Sequence, residues 1–500
     1  MMIITIKNAN QCEVDGPLKV VHKLYNEFKI KHPNAWHIQM YQRGNNKWDG
    51  YIKYINDYGI FRIGLLPKVY ETLISWGEEV KIIDRRPKLS IEPNIPKSLG
   101  SIDLYPRQIE ALNNLLNNKV GGTPFLICVG DYAVGFGKSL LFCAIHESFH
   151  RQIPTILLLN DSDLFDQFKR EIPPLLPNEN IAFIRGGKVS SWGNFNVAMV
   201  QSVSQNLNKY AYELSKIGIV LIDEADIIDN KTYKSVIEHL YNTKVRIGLS
   251  GTIYMDNSKK NMVHNMNIMQ FIGNKVDQVK LSDQIKNKKA TPVVVKMVVS
   301  HIEPKKKVTT YLEEYESIIS NNIEAYKISF TRTQYNTKYG RLPALIVTKH
   351  INHCENLYKY YKERSDELGL GFNIAYVHHK TPNREKILND FRNGNIDILI
   401  STTIISRGKN FPDLRYLQNT ACMDSNEKSI QILGRLVRQS SSKNKAYLDD
   451  IVFPGHYLLR HSKHRKIYYQ RENLKVILVD GIKNRKTKSF LTSFKKVSLE

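Results

Sequence analysis

Residues 125–145 read FLICVGDYAVGFGKSLLFCAI. Phe125–Val129 is an unbroken apolar run of strand length, and Leu140–Ile145 is an apolar stretch that suits a buried helix. Between them, Gly135-Phe136-Gly137-Lys138-Ser139 sets two glycines, a lysine and a hydroxyl in a turn. Strand, glycine turn and helix in that order form the setting of a phosphate-binding loop. Glycines let backbone N–H groups cradle phosphate oxygens, Lys138 can reach the β- and γ-phosphates of a nucleoside triphosphate, and the Ser139 hydroxyl can ligate Mg2+. The full G-x-x-x-x-G-K-[ST] pattern asks for glycine at 132, where this chain has Tyr132. On this stretch alone, a chance GKS in a turn stays open.

Two further strings bear on it. Ile219-Val220-Leu221-Ile222 is an apolar strand that delivers Asp223 and Glu224 at its C-terminal end, followed by Ala225-Asp226. This is the Walker B arrangement: Asp223 suits Mg2+, mostly through water, and Glu224 suits the orientation and activation of an attacking water. An acidic helix cap is the plainer reading, but it does not explain the two strings about 85 residues apart in one α/β block. Later, Gln431 opens the string QILGRLVR, whose Arg435 and Arg438 lie three apart, on one face of a predicted helix. Cations at a γ-phosphate spread transition-state charge.

Outward from these motifs, strands at Phe125–Val129, Ile156–Leu159, Val197–Val200, Ile219–Ile222 and Ile247–Leu249 alternate with helical segments, which predicts a parallel α/β sheet. Lys286–Lys289 and Thr291-Pro292 mark a break. The alternation resumes with strands at Ala344–Val347, Ile374–Val377 and Ile398–Ser401, as a second copy of one architecture would. Residues 1–95 read as a small α+β unit with a turn at Arg43-Gly44-Asn45-Asn46, and Arg86–Ser98, with three prolines, reads as a linker. The 500 residues are 42% hydrophobic and 24% charged, a globular balance that excludes a disordered chain, a collagen-like fibre or a disulfide scaffold. Apolar runs fall well short of the ~20 residues of a membrane span, the N-terminus does not read as a secretory signal, and the five cysteines read as reduced cytosolic thiols. The expected setting is cytoplasmic, with no membrane partner.

The charge is unusual: 72 Lys+Arg against 48 Asp+Glu, a net of +24, which implies a polyanionic partner, most often nucleic acid. His456–Glu500 holds 12 Lys/Arg and 3 acids, with Tyr457, Tyr468, Tyr469, Phe490 and Phe494 interleaved. That suits phosphate contact and base stacking; a solvated basic end is the alternative.

Residues 100–455 resemble the superfamily 2 helicases through nearly the whole motif series, in order. Tyr105-Pro106-Arg107-Gln108 is similar to the adenine-reading Q motif, with Gln108 as its amide. Gly135, Gly137, Lys138 and Ser139 fall on motif I. Asn160-Asp161 with Leu164 and Gln167 resembles motif Ia. Gly186-Gly187 and Gln201-Ser202 resemble the strand-gripping motifs, Asp223 to Asp226 is similar to motif II, and Ser250-Gly251-Thr252 to motif III. Thr348 falls in motif IV, Thr402, Arg407, Gly408 and Asn410 in motif V, and Gln431 to Arg438 in motif VI. Asn410 stands where Asp is common. The letters of residues 223–226 suggest a DEAD-box RNA helicase, but the DEAD-box form of motif Ia is absent and motif VI begins with Gln rather than His.

The N-terminal segment Gly44–Gly50, with Trp48-Asp49-Gly50, and then Gly64-Leu65-Leu66-Pro67, is similar to phage UvsW-type recombination helicases. Trp48 reads more readily as a core anchor than as a base contact. The resemblance implies two RecA-like parallel-sheet domains (96–285 and 286–460) with ATP between them, an N-terminal α+β accessory DNA-binding domain (1–95) and a basic tail (461–500). It implies catalytic roles for Lys138, Asp223, Glu224, Gln431, Arg435 and Arg438. Gln108, Gly135, Gly137, Lys138, Ser139, Gly408 and Asn410 would bind nucleotide, and Ser139 and Asp223 Mg2+. Coupling or strand contact would fall to Gln167, Gln201, Ser250, Thr252, Thr348, Thr402 and Arg407. The implied activity is ATP-dependent remodelling of branched DNA: four-way junctions, replication forks, R-loops or D-loops. An RNA helicase and the motor subunit of a restriction or nuclease complex are the alternatives.

Overall fold

The computed structural model describes residues 1–41, 48–89, 91–187, 191–254, 259–302, 308–403, 411, 413–424 and 426–481. The turn at 43–46, the motif V residues Arg407, Gly408 and Asn410, and Phe490 and Phe494 lie outside the described residues. The chain divides into two compact units: Met1–Tyr132 with Gly137–Gln278, and Ala133–Phe136 with Val279–Glu500.

The first unit is built on a seven-stranded parallel sheet. Its strands run, in spatial order, Ile181–Ile184, Phe195–Met199, Thr155–Leu159, Ile219–Asp223, Val245–Ser250, Ile127–Tyr132 and Lys275–Val279. The central strands are buried along their whole length. Helices cover both faces of such a sheet, so these strands read as continuous apolar runs rather than alternating ones. Parallel strands bring all their C-terminal ends to one edge, where ligands of open α/β sheets bind. The strand leading to the glycine loop and the strand ending in Asp223 are separated there by one strand, which ends in Ser250.

The second unit repeats the plan. Its order is Ile374–Val377, Ile398–Thr402, Ala344–Thr348, Tyr416–Asn419, Ala446–Val452, Val293–Val299 and Val476–Asp480, with every neighbouring pair parallel. The fold is two RecA-like α/β sheets preceded by a small α+β region, as the sequence implies.

Three boundaries differ from expectation. Residues 1–95 form a four-stranded sheet, Ile60–Arg62, Gln11–Asp15, Met2–Ile6 and Val80–Asp84, but not a separate domain. Their core runs on into Val120, Phe125, Ile127 and Met266. Tyr54 OH donates to Asn267 Oδ1 at 2.8 Å, and a Cβ on Gly64 would lie 2.1 Å from the Met269 carbonyl oxygen, so only glycine permits that approach. The buried Arg246 guanidinium donates to the Ala9 carbonyl (2.9 Å) and to Asn10 Oδ1 (2.8 Å). The division between units falls at Gln278 rather than 285, because Leu281 belongs to the second core and its N–H is held by Glu472 at 2.7 Å. The basic tail does not begin at 461: the helix His456–Arg471 packs on the second sheet, and Val476–Asp480 is that sheet's edge strand, paired with Val295–Val299.

Candidate nucleotide site and strand-contact edge

The phosphate loop leaves the sheet after Tyr132. Gly135 and Gly137 adopt φ of +90° and +91°, a left-handed backbone that side chains rarely tolerate. The helix Lys138–Ser148 then starts with its N-terminal N–H groups at the loop, an arrangement suited to anions. Tyr132 does not occupy the apex where glycine was expected. It is the last residue of a fully buried strand, its ring lies over Gly130, and its hydroxyl donates to Asp277 Oδ2 at 2.9 Å. Asp277 also pairs with Arg107 at 2.6 Å. Burial would raise the Asp277 pKa, but the hydrogen bonds from Arg107 and Tyr132 and the Arg107 charge outweigh it and hold the carboxyl below its ordinary range.

Lys138 Nζ lies 3.5 Å from Asp223 Oδ1. Burial alone would lower the lysine pKa, but Asp223, Glu224 and Asp226 together raise it above its ordinary value, so the ammonium is charged. Glu224 follows the strand with φ +53°, a conformation that costs a non-glycine residue free energy and clusters at functional sites. Asp223 Oδ1 is buried without a hydrogen-bond partner. A buried carboxylate oxygen without a hydrogen-bond partner, and a hydroxyl on the helix Lys138–Ser148, are oxygen donors of the type a hard divalent cation takes. Ser250 Oγ donates to Asp226 Oδ1 at 2.8 Å and accepts from the Thr252 N–H at 3.2 Å, so motif III is tied directly to motif II.

Gln108 is 2% exposed and sits in the first turn of the helix Pro106–Leu116, its Oε1 accepting from the Tyr105 N–H at 3.3 Å. Its Nε2 is 2.7 Å from where a Cβ on Gly137 would stand, so the Q-motif amide rests on the phosphate loop. Along the same sheet edge, Gln201 Nε2 donates to Asn160 Oδ1 at 2.5 Å. The Gly186 N–H donates to Ser202 Oγ at 2.8 Å. Gln167 lies on the helix Ser162–Leu175, which Asp161 caps by accepting from Asp163 and Leu164 N–H. The expected strand-contact residues of the first unit therefore lie on helices and turns that follow the C-terminal ends of the sheet that also leads into the glycine loop.

In the second unit, Thr348 and Thr402 are register partners on adjacent strands. Arg435 is buried on the helix Asn426–Leu436, which also carries Gln431. Arg438 does not share that helix face, because the helix ends at Leu436. Thr291 N–H donates to the Val437 carbonyl (2.7 Å) and its hydroxyl to the Arg438 carbonyl (3.0 Å), drawing the backbone out of helical pairing. Three features of the first unit lay outside the sequence reading: the Asp277–Arg107–Tyr132 cluster, the Asp226–Ser250 link, and Glu171, whose carboxylate reaches Ser139. Only Glu171 left a signal, as a residue four after Gln167 on a helix.

Two such sheets, the first with a glycine loop and an Asp-Glu strand end flanking a central strand, form a RecA-like architecture. A family model described as the res subunit of type III restriction enzymes matches residues 101–255, and one described as the helicase conserved C-terminal domain matches 326–440. The chain belongs to the superfamily 2 helicases. It is 21% identical over 344 residues to the protein designated helicase 22 of Sulfolobus islandicus filamentous virus, covering 65% of this chain and 59% of that one; the chain spans about half to three-fifths of the length of such curated relatives. Among solved structures, T4 UvsW aligns over 96% of this chain and 100% of its own at 18% identity and a TM-score of 0.44. Saccharomyces cerevisiae Dbp5 with RNA and ADP BeF3 aligns over 79% and 94% at 15% identity and a TM-score of 0.51. Among the described residues no helix is long and apolar enough to cross a membrane.

Proposed function

We propose that the chain is an ATP-dependent helicase and translocase that remodels branched DNA, including four-way junctions, forks, R-loops and D-loops, in phage recombination, replication and repair. The observation that carries the motor reading is the Lys138–Asp223 pair at 3.5 Å. It lies on the sheet edge that also holds the Asn160–Gln201 and Gly186–Ser202 pairs. Lys138 and the loop N–H groups bind and orient the phosphates, Glu224 orients and deprotonates the attacking water, and Arg435 and Arg438 supply the cations for charge that develops in the transition state. Ser139 and Asp223 would hold Mg2+, which neutralises phosphate charge when bound. Contacts to the strand are mainly to its backbone, so movement is largely sequence-independent.

The branched-DNA part rests on the likeness of the Trp48-Asp49-Gly50 and Gly64-Leu65 segments to UvsW-type helicases and on the net charge of +24. Trp48 is half-buried; its indole N–H donates to the Tyr51 carbonyl at 2.8 Å, and its ring lies edge-on to His32. The test compares duplex DNA, forked DNA and RNA as ATPase stimulants, then unwinding of fork, four-way junction and R-loop. Forks and junctions should stimulate most and be unwound fastest. Better unwinding of RNA duplexes than of any DNA branch overturns the DNA reading in favour of an RNA helicase.

A further inference from the structure

The hydroxyl of Ser139 does not rest on the Walker B carboxylate. It donates to Glu171 Oε2 at 2.8 Å, while Glu171 Oε1 accepts from Gln167 Nε2 at 2.7 Å. One carboxylate thus joins the hydroxyl expected to ligate the metal to the amide expected to contact the strand.

The helices that carry these groups are locked together on their apolar sides. Phe165, Phe168, Ile172 and Leu175 are buried, and Phe168 packs edge-on against Phe142 of the phosphate-loop helix at 6.3 Å. On the polar side, Glu171 spans the same two helices. At its N-terminus the strand-contact helix is fixed by Asp161, next to Asn160 and its bond to Gln201.

We propose that Glu171 is a positioning residue that couples metal–nucleotide binding to nucleic-acid binding. A hydroxyl that ligates a cation uses a lone pair and keeps its proton to donate. A carboxylate that accepts this proton orients the oxygen and raises its donor strength, which is how outer-shell partners tune metal ligands, at ~10- to 100-fold in metal affinity. The same carboxylate positions Gln167, so a change in its bond to Ser139 alters the amide offered to the strand. Coupling of this kind is reciprocal: bound nucleic acid must tighten or loosen metal–nucleotide by the factor that metal–nucleotide changes nucleic-acid affinity.

The inference rests on Ser139 being a metal ligand, and the experiment separates the two. A fluorescent non-hydrolysable ATP analogue is titrated with and without Mg2+, and a single-stranded oligodeoxythymidine is titrated with and without the Mg2+–analogue. The wild type, Glu171→Ala and Gln167→Ala are compared. In the wild type, Mg2+ should tighten the analogue, and the Mg2+–analogue should change oligonucleotide affinity. Glu171→Ala should weaken the Mg2+ effect by ~10-fold or more and bring the oligonucleotide affinity ratio close to one, with metal-free analogue binding intact. Gln167→Ala should lose the oligonucleotide ratio but keep the Mg2+ effect. Glu171 is exposed, so its truncation should leave the melting transition in place. A wild type with no Mg2+ effect removes the metal-ligand reading itself. A Glu171→Ala protein with the wild-type Mg2+ effect and oligonucleotide ratio overturns the coupling role alone.

Discussion

Arg465 and Asp450 form a bidentate ion pair in which both side chains are 0% exposed, with Nε–Oδ2 and NH2–Oδ1 both at 2.8 Å. Asp450 also accepts from the Tyr469 hydroxyl at 2.7 Å, and Arg465 donates to the Met423 carbonyl at 2.9 Å. The pair fastens the helix His456–Arg471 to the sheet. Removing one partner leaves a buried charge without its counterion, at a cost of about 3–5 kcal/mol. Arg465→Ala should lower the urea midpoint of the second unit's transition by a corresponding amount. A midpoint within error of wild type would mean that water reaches the site and solvates Asp450.

The same geometry places part of the basic C-terminal segment, the helix His456–Arg471 and the strand Val476–Asp480, in the second unit's fold. Removing residues 482–500 takes away Lys483, Arg485, Lys486, Lys488, Lys495 and Lys496 and should leave the second sheet intact. Where these side chains meet phosphate, the slope of log K against log salt should fall by about 0.9 for each duplex-DNA phosphate that is no longer neutralised. An unchanged slope would make them a solvated basic end. Removing 461–500 should instead unfold the second unit, because it deletes Arg465, Tyr469 and the edge strand Val476–Asp480 together.

A chain beginning at residue 96 should not fold as a free-standing motor. It would expose Val120, Phe125, Ile127 and Met266, which the N-terminal residues cover. Full burial of each large apolar side chain contributes roughly 1.5–3 kcal/mol, and the sum is comparable with the ~5–15 kcal/mol stability of a whole domain. Arg246 would also lose the Ala9 and Asn10 acceptors. The expected result is dye binding to exposed apolar surface and no cooperative melt. A cooperative melt with nucleic-acid-stimulated ATPase would show that the N-terminal sheet is dispensable after all.

The sheets were legible where strands are buried on both faces: Ile219–Asp223 and Thr155–Leu159 are apolar nearly end to end. Among the edge strands, Ile374–Val377 was legible, but Lys275–Val279 and Val476–Asp480 were not. Lys275–Val279 reads KVDQV because one side meets solvent and Asp277 serves Arg107 and Tyr132. Val476–Asp480 was hidden inside a count of basic residues. The strings read as a nucleotide site stand out in the sequence because their spacing is local, within one turn or one strand end. The N-terminal region looked separable because a linker composition cannot show which core its apolar residues join. Arg438 left the expected helix because Thr291, about 150 residues away, captures its carbonyl. Helical spacing alone pairs Glu171 with Gln167, but only helix packing brings Ser139 to it.

His353 should make the second unit acid-sensitive. Burial, with help from the nearby His350, pushes its pKa down to about 3. Its Nδ1 pairs with the Tyr315 hydroxyl at 2.7 Å, and Tyr326 stacks on its ring. The unfolded chain takes up a proton near pH 6.5 and the folded one does not, so this contribution is complete above pH ~6.5 and is lost as pH falls towards 3. His353→Gln, which keeps a hydrogen-bonding group but cannot titrate, should flatten the dependence of the urea midpoint on pH between about 6.5 and 4. An unchanged pH profile would mean that His353 is protonated in the folded protein.

Lys138→Ala and Glu224→Gln should both stop ATP turnover but separate in binding. Lys138 is the cation beside Asp223, and its loss removes a charge-assisted contact worth about 1.5–3 kcal/mol, or roughly 10- to 100-fold in nucleotide Kd. It also leaves the buried Asp223 carboxylate without its ammonium, so Mg2+ added alone should not restore the affinity. Glu224→Gln keeps the shape and the left-handed backbone but removes the base, a loss of ~10²- to 10⁴-fold in turnover. Its nucleotide affinity should stay near wild type, and bound ATP should persist unhydrolysed. The measurements are equilibrium binding of a fluorescent ATP analogue and single-turnover hydrolysis. A Glu224→Gln protein that hydrolyses at the wild-type rate would remove Glu224 from the reaction, and a Lys138→Ala protein with unchanged affinity would take Lys138 out of the phosphate site.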